Sequence, residues 1–126
     1  MMRTGQLVLL LCSLIPAAHS AIDEETEIRF LIQAVADSGC QFDRNGTRHS
    51  AQEAAEHLAL KYARGQRYAV SAEEFIENLA SKSSWSGEPY LMICEEETTP
   101  AGDWLVNTLD VKRGSHGLPE EASPGR

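Results

Sequence analysis

The chain has 126 residues, 19 of them acidic and 11 basic, and a net charge of −8. That length fits one small domain with a modest core. The negative balance repels phosphate backbones and anionic headgroups, so it argues against nucleic acid and lipid surfaces as partners.

Met1, Met2 and Arg3 precede an apolar run from Leu7 to Ile15 and the small-residue segment Pro16-Ala17-Ala18-His19-Ser20. This is the pattern of a secretory signal peptide over residues 1–20. The apolar run is about half of the roughly 18 to 20 residues a helix needs to cross a bilayer, so no membrane span is expected. Ala18 and Ser20 suit a cut before Ala21, which would deliver the chain to the periplasm or the medium. Cys12 would leave with the leader, since Leu11 stands where lipidation of Cys12 would need a small residue. Loss of Arg3 takes the net charge from −8 to −9.

From Glu25 to Ser38 the apolar residues Ile28, Leu31, Ile32 and Val35 mark one face of a helix that Gly39 can end. Cys40 to Arg44 predicts a short strand running into the tight-turn pair Asn45-Gly46. Ser50 and Glu53 have the spacing of a capping box opening a second helix to about Ala63, closed by Gly65. Ser71 and Glu74 repeat that signal, and Ala72, Phe75, Ile76 and Leu79 give the third helix its apolar face. After a polar loop from Ser81 to Glu88, Pro89 to Cys94 predicts a second strand, with its proline at the entry. Pro100 to about Val111 predicts a fourth helix that buries Trp104, Leu105 and Leu109. The runs Glu95-Glu96-Glu97 and Glu120-Glu121 are read as solvated, and residues 114–126 as a disordered tail.

Cys40 and Cys94 are the two cysteines left after leader removal, and an even pair in an oxidising compartment predicts one disulfide. Antiparallel pairing of the two strands would set Cys40 beside Cys94. The predicted fold is a single α+β domain over residues 21–113. About four helices pack on a short two-stranded antiparallel ribbon, pinned by that disulfide.

An ordered series of short motifs carries a resemblance: Phe42 to Gly46, His49 to Ala54, His57-Leu58 with Lys61, Ala72 to Ile76, and Ala80 to Ser84 followed by Ser86 to Tyr90. It is similar to the YfeK-like family of small secreted proteobacterial proteins across most of the mature domain. The resemblance implies a Gram-negative periplasmic or exported protein and a shared fold. It brings no activity, cofactor or catalytic residue, because the family is a domain of unknown function.

Four features merit a chemical reading. His49, Glu53 and His57 at i, i+4, i+8 are ordinary zinc-ligand types, and would share a face if the second helix began one turn early. The plainer reading is a solvated stripe of Glu53, His57 and Lys61 with i, i+4 pairing, and no metal is assigned. The loop Ser81-Lys82-Ser83-Ser84-Trp85-Ser86-Gly87 joins a helix to a strand, where binding residues commonly sit. Its serines would need a base such as His57 or Lys82 to form a small serine hydrolase. Ser86-Gly87-Glu88-Pro89-Tyr90 has the Ser-Gly-x-x-Tyr spacing of periplasmic lysozyme inhibitors, which insert a loop into a glycosidase cleft. Arg44 and Arg48 flank a turn and carry guanidinium groups suited to carboxylate or phosphate.

No cofactor motif, convergent acid and base pair or repeated metal ligands are legible. The reading is a non-enzymatic binding or interaction module for an unknown periplasmic protein or small ligand. Its candidate binding residues are Arg44, His57, Ser83, Ser84, Trp85, Ser86 and Tyr90. A lysozyme-inhibitor-like protein and a small serine hydrolase are the alternatives.

Overall fold

The computed structural model describes the backbone of residues 19–117 and the side chains of residues 23–114. Residues 1–18 of the expected leader and residues 118–126 of the expected tail lie outside the described residues, and the expected cut between Ser20 and Ala21 falls in the first turn of helix α1. Helix α1 is His19–Ala36, and Ile28, Leu31 and Val35 are fully buried along it as the apolar spacing requires. Strand β1 (Gln41–Arg44) and strand β2 (Thr47–His49) form a hairpin whose two-residue turn is Asn45-Gly46. Both turn residues hold positive φ, +55° and +86°, the conformation this dipeptide tolerates.

Helix α2 is Ala51–Arg64, with a full capping box at its start: Ser50 Oγ accepts from the Glu53 amide and the Glu53 carboxylate accepts from the Ser50 amide. A short 3-10 turn, Gln66–Tyr68, leads to helix α3 over 72–80, a turn of α-helix (Ala72–Glu74) widening into π-helix (Phe75–Ala80). Ser71 caps its start, and Phe75, Ile76, Leu79 and Ala80 are all buried. Strands β3 (Leu91–Cys94) and β4 (Glu97–Pro100) form a second hairpin, and helix α4 (Ala101–Gly117) follows at once.

The sheet order is β2-β1-β3-β4, antiparallel throughout. This corrects the two-stranded ribbon: the expected central pair β1–β3 forms, and an outer strand is added on each side. Pro100, expected to open the last helix, ends the edge strand β4 instead, where a missing N–H costs no internal ladder bond. The helix runs on to Gly117, past the expected end near Val111 and into the segment read as a tail.

Gln41 pairs with Ile93, so Cys40 and Cys94 are next in register, with Cα atoms 4.6 Å apart and their sulfurs bonded. One sheet face is apolar: Phe42 and Met92 stand opposite each other and are buried, while Gln41 on the other face is exposed. Against that face the helices bring Leu31, Val35, Leu58, Phe75, Ala101 and Leu105 into one core. Tyr62 meets Phe75 edge to face at 5.8 Å. The hairpin turn of β1–β2 and the loop before β3 sit at the end of the central pair away from the disulfide.

Candidate functional site

That end of the sheet forms one wall of an open groove of about 480 Å³. Arg44 and Asn45 enter from the end of β1 and its turn; His57, Lys61 and Arg64 lie on α2 at i, i+4, i+7, the spacing of one helix face. Tyr68 comes from the 3-10 turn, Leu79 from α3, and Ser83, Ser84, Trp85 and Tyr90 from the loop ahead of β3. Six of the seven candidate residues named from sequence therefore share one lining.

Ser86, the seventh, supports the wall instead. Its hydroxyl donates to Asn45 Oδ1 and accepts from the Glu88 amide. Ser83 is the buried organiser of the loop, with its Oγ facing three donors: Asn45 Nδ2 at 3.3 Å and the amides of Trp85 at 3.2 Å and Ser86 at 3.1 Å. Gly87, at φ +79°, turns the chain back so that its amide reaches the Ser83 carbonyl. The hairpin turn and the loop are thus tied together, and Trp85 is presented 91 % exposed on a hydrogen-bonded frame.

The groove floor is basic. Lys61 Nζ donates to Tyr90 Oη at 3.0 Å and to the Lys82 carbonyl at 3.2 Å, and lies 5.0 Å from the Tyr90 ring centroid. Tyr90 Oη stands 3.5 Å from His57 Nε2, and the two rings meet edge on. Burial, then the positive charge of Arg44, lowers the Lys61 pKa to about 8. Burial, then Arg44, Lys61 and His49, lowers that of His57 to about 4, so its imidazole is neutral at pH 7. The Tyr90 hydroxyl is pushed up by burial.

The zinc arrangement is not assembled: among the described residues no three His, Cys, Asp or Glu side chains gather to hold a metal. His49 belongs to β2, not to an early turn of α2; its Nδ1 is 3.8 Å from Glu53 and its Nε2 is 3.4 Å from Arg44. His49, Glu53 and His57 line a mainly apolar cavity of about 30 Å³, room for about one water. Lys61 likewise leaves the solvated stripe read from sequence and turns to Tyr90. Sequence reading passed over Arg64, Tyr68 and Asn45 as groove residues. The switch along α2 from Glu53 and Glu56 to Lys61 and Arg64 was the available signal.

The resemblance read from the motifs holds across the domain. Residues 22–113 match the model of the Family of unknown function (DUF5329). The chain belongs to that family. A relative, "Uncharacterized protein YfeK" of Salmonella typhimurium, is 38 % identical over 85 residues, covering 67 % of this chain and 71 % of the relative. No solved structure matches. The DUF5329 match spans every element that builds the groove, from the β1–β2 turn to Tyr90. Among the described residues no helix is long and apolar enough to cross a membrane.

Proposed function

We propose that the protein is a secreted, non-enzymatic binding module whose contact surface is the groove between α2, the β1–β2 turn and the 81–90 loop. The observation that carries this reading is the convergence of Arg44, His57, Ser83, Ser84, Trp85 and Tyr90, from three separate segments, on one lining. A tryptophan 91 % exposed on a tied loop is costly surface unless something covers it. Export after cleavage before Ala21 belongs to the same proposal. Its support is the pattern of Arg3, the Leu7 to Ile15 run, Ala18 and Ser20, together with a disulfide of the kind that persists outside the cytoplasm.

The two enzyme-linked alternatives have less support. Ser83 Oγ is occupied by three donors and His57 faces Tyr90, so no hydrogen bond joins a serine hydroxyl to a histidine or lysine side chain among the described residues. Residues 86–89 are exposed, but Tyr90 is buried and Ser86 is tied to Asn45, so the two residues that define the Ser-Gly-x-x-Tyr spacing are not presented for insertion.

The test is photo-crosslinking in the producing cell, with a photoreactive residue at Trp85 and a control at Glu56, an exposed position on α2. A discrete adduct from position 85 and none from 56, on a chain whose N-terminus is Ala21, is the expected result. Equal or absent labelling at both positions sinks the reading.

A further inference from the structure

The walls of the groove run against the charge of the molecule. The chain carries −8, yet Arg44, Lys61 and Arg64 line this space and no carboxylate does, among the described residues. None of the ion pairs among the described residues involves these three cations. Elsewhere the acidic excess finds cations readily, as where Arg113 engages Glu27 and Glu73 together. Holding several cations near one another, partly out of water and without a counter-charge, is unfavourable, and an anion entering the groove would relieve it. Burial first, and then the positive charge of Arg44, lowers both Lys61 and His57, in keeping with that geometry.

The remaining lining says what accompanies the charge. Tyr68 is 51 % exposed and Trp85 91 % exposed at the rim, two flat rings beside a cationic floor, with the Arg67 guanidinium 4.8 Å from the Tyr68 ring centroid. Besides the cations, the floor offers a neutral imidazole and the Tyr90 hydroxyl, which suit oxygen acceptors. We infer that the groove binds an oxyanion carried on a flat or ring-shaped body, with Arg44, Lys61 and Arg64 facing the anion and Trp85 and Tyr68 covering the ring. This rests on the groove being the contact surface. The oxyanion is a phosphate monoester or a carboxylate, both of which present the same charged oxygens to a guanidinium and an ammonium.

The experiment is a titration of the isotope-labelled full chain, as purified from cells, followed by amide NMR. Three probes share one ring: phenyl phosphate, phenylacetate and the neutral benzyl alcohol. Saturable shifts at Lys61, Tyr68 and Trp85 with one or both anions, and none with benzyl alcohol, are expected. The tighter anion then names the source of the charge. Lys61→Gln weakens the binding by about tenfold, the loss of one charge-assisted hydrogen bond. If Lys61→Gln does not fold, the exposed Arg64→Gln variant takes its place, and Arg113→Gln is the control that leaves affinity unchanged. The inference is overturned if neither anion saturates, if benzyl alcohol binds as well as they do, or if folded Lys61→Gln and Arg64→Gln both bind like the parent. Crosslinking from Trp85 alongside silence in this titration would leave the groove a contact surface for a partner that is not anionic. Silence in both would remove the groove itself.

Discussion

Arg113 and Lys61 are both cations on helices of an acidic domain, and their surroundings are opposite. Arg113, on α4, donates from Nε and Nη2 to the two oxygens of Glu27 on α1, at 2.9 and 2.8 Å, and from Nη1 to Glu73 at the start of α3. Three helices meet at one guanidinium, whose planar fork suits two carboxylates at once. Its hydrogen bonds hold both carboxyls below the ordinary carboxylate range. Lys61, on α2, has a hydroxyl and a carbonyl for partners and Arg44 for an electrostatic neighbour. The paired cation is explained by the fold it fastens. The unpaired one is not, and an unfavourable charge held in place by its neighbours is the usual mark of a site.

The largest effect lies beneath both regions. The disulfide joins residues 54 apart in sequence, and closing a loop of that length contributes on the order of 4 kcal/mol in the chain-entropy account. Cys40→Ala with Cys94→Ala should lower unfolding free energy in urea by about that amount. Because the crosslink sits at the end of the β1–β3 pair away from Arg44 and Tyr90, the folded double variant should keep the groove's amide signals. A loss under about 1 kcal/mol would mean that strand pairing alone specifies the sheet. Shifted groove signals would couple the two ends.

The next effect isolates the clamp. Arg113 and Glu73 side chains are 39 % and 60 % exposed, which screens the interaction, so Arg113→Gln should cost about 1 kcal/mol at pH 7. Glu27 and Glu73 titrate below 4.5 in the folded state, so this contribution is present above about 4.5 and disappears as pH falls through the lower folded values. Thermal unfolding of parent and variant at neutral and acid pH should therefore converge at the acid end. A gap that persists there would make Arg113 a packing residue, not an electrostatic one.

Much of this was legible in the chain and some was not, for local reasons. The apolar spacing of Ile28, Leu31 and Val35, the cap at Ser50 and the Asn45-Gly46 turn each encode their element within a few residues. The second hairpin lacks such a code: its turn is Glu95-Glu96, and Glu95 holds φ +58°, a region that non-glycine residues seldom occupy. Nothing in an acidic run announces that: Glu95-Glu96-Glu97 reads as a solvated run, and Thr98-Thr99 gives too short a signal to name a strand. Strand β2 is three residues long and polar, and is defined by its partner more than by its own sequence. The candidate binding residues were found individually through residue type. Their convergence with Arg64 and Tyr68 depends on the angle of α2 against the sheet end, a long-range property. Lys61 shows the same limit: its spacing from Glu53 and His57 suggested a solvated stripe, whereas Tyr90, 29 residues away, is its partner.

The slopes that the groove imprints on stability carry the comparison furthest. His57 titrates at about 4 when folded against 6.5 ordinarily, so the unfolded chain takes up that proton first and stability falls as pH drops from 6.5 toward 4. Lys61 titrates at about 8 against 10.5, so the unfolded chain again holds more protons, and stability rises as pH climbs from 8 to 10.5. The charged and titratable groups that share a lining with the pair are Asp43 and Arg44 from β1, His49 from β2, Glu53 and Arg64 on α2, Tyr68 from the 3-10 turn and Tyr90 ahead of β3, and no carboxylate is among the causes of either shift. His57→Gln should flatten the acid slope and Lys61→Gln the alkaline rise, each read by denaturant titration across pH, while Arg113→Gln leaves both in place. Saturation with the tighter of the two anions, phenyl phosphate or phenylacetate, should also erase the alkaline rise, because a bound oxyanion restores Lys61 toward its ordinary value. A slope that survives Lys61→Gln would assign it to another group and detach Lys61 from the groove's electrostatics.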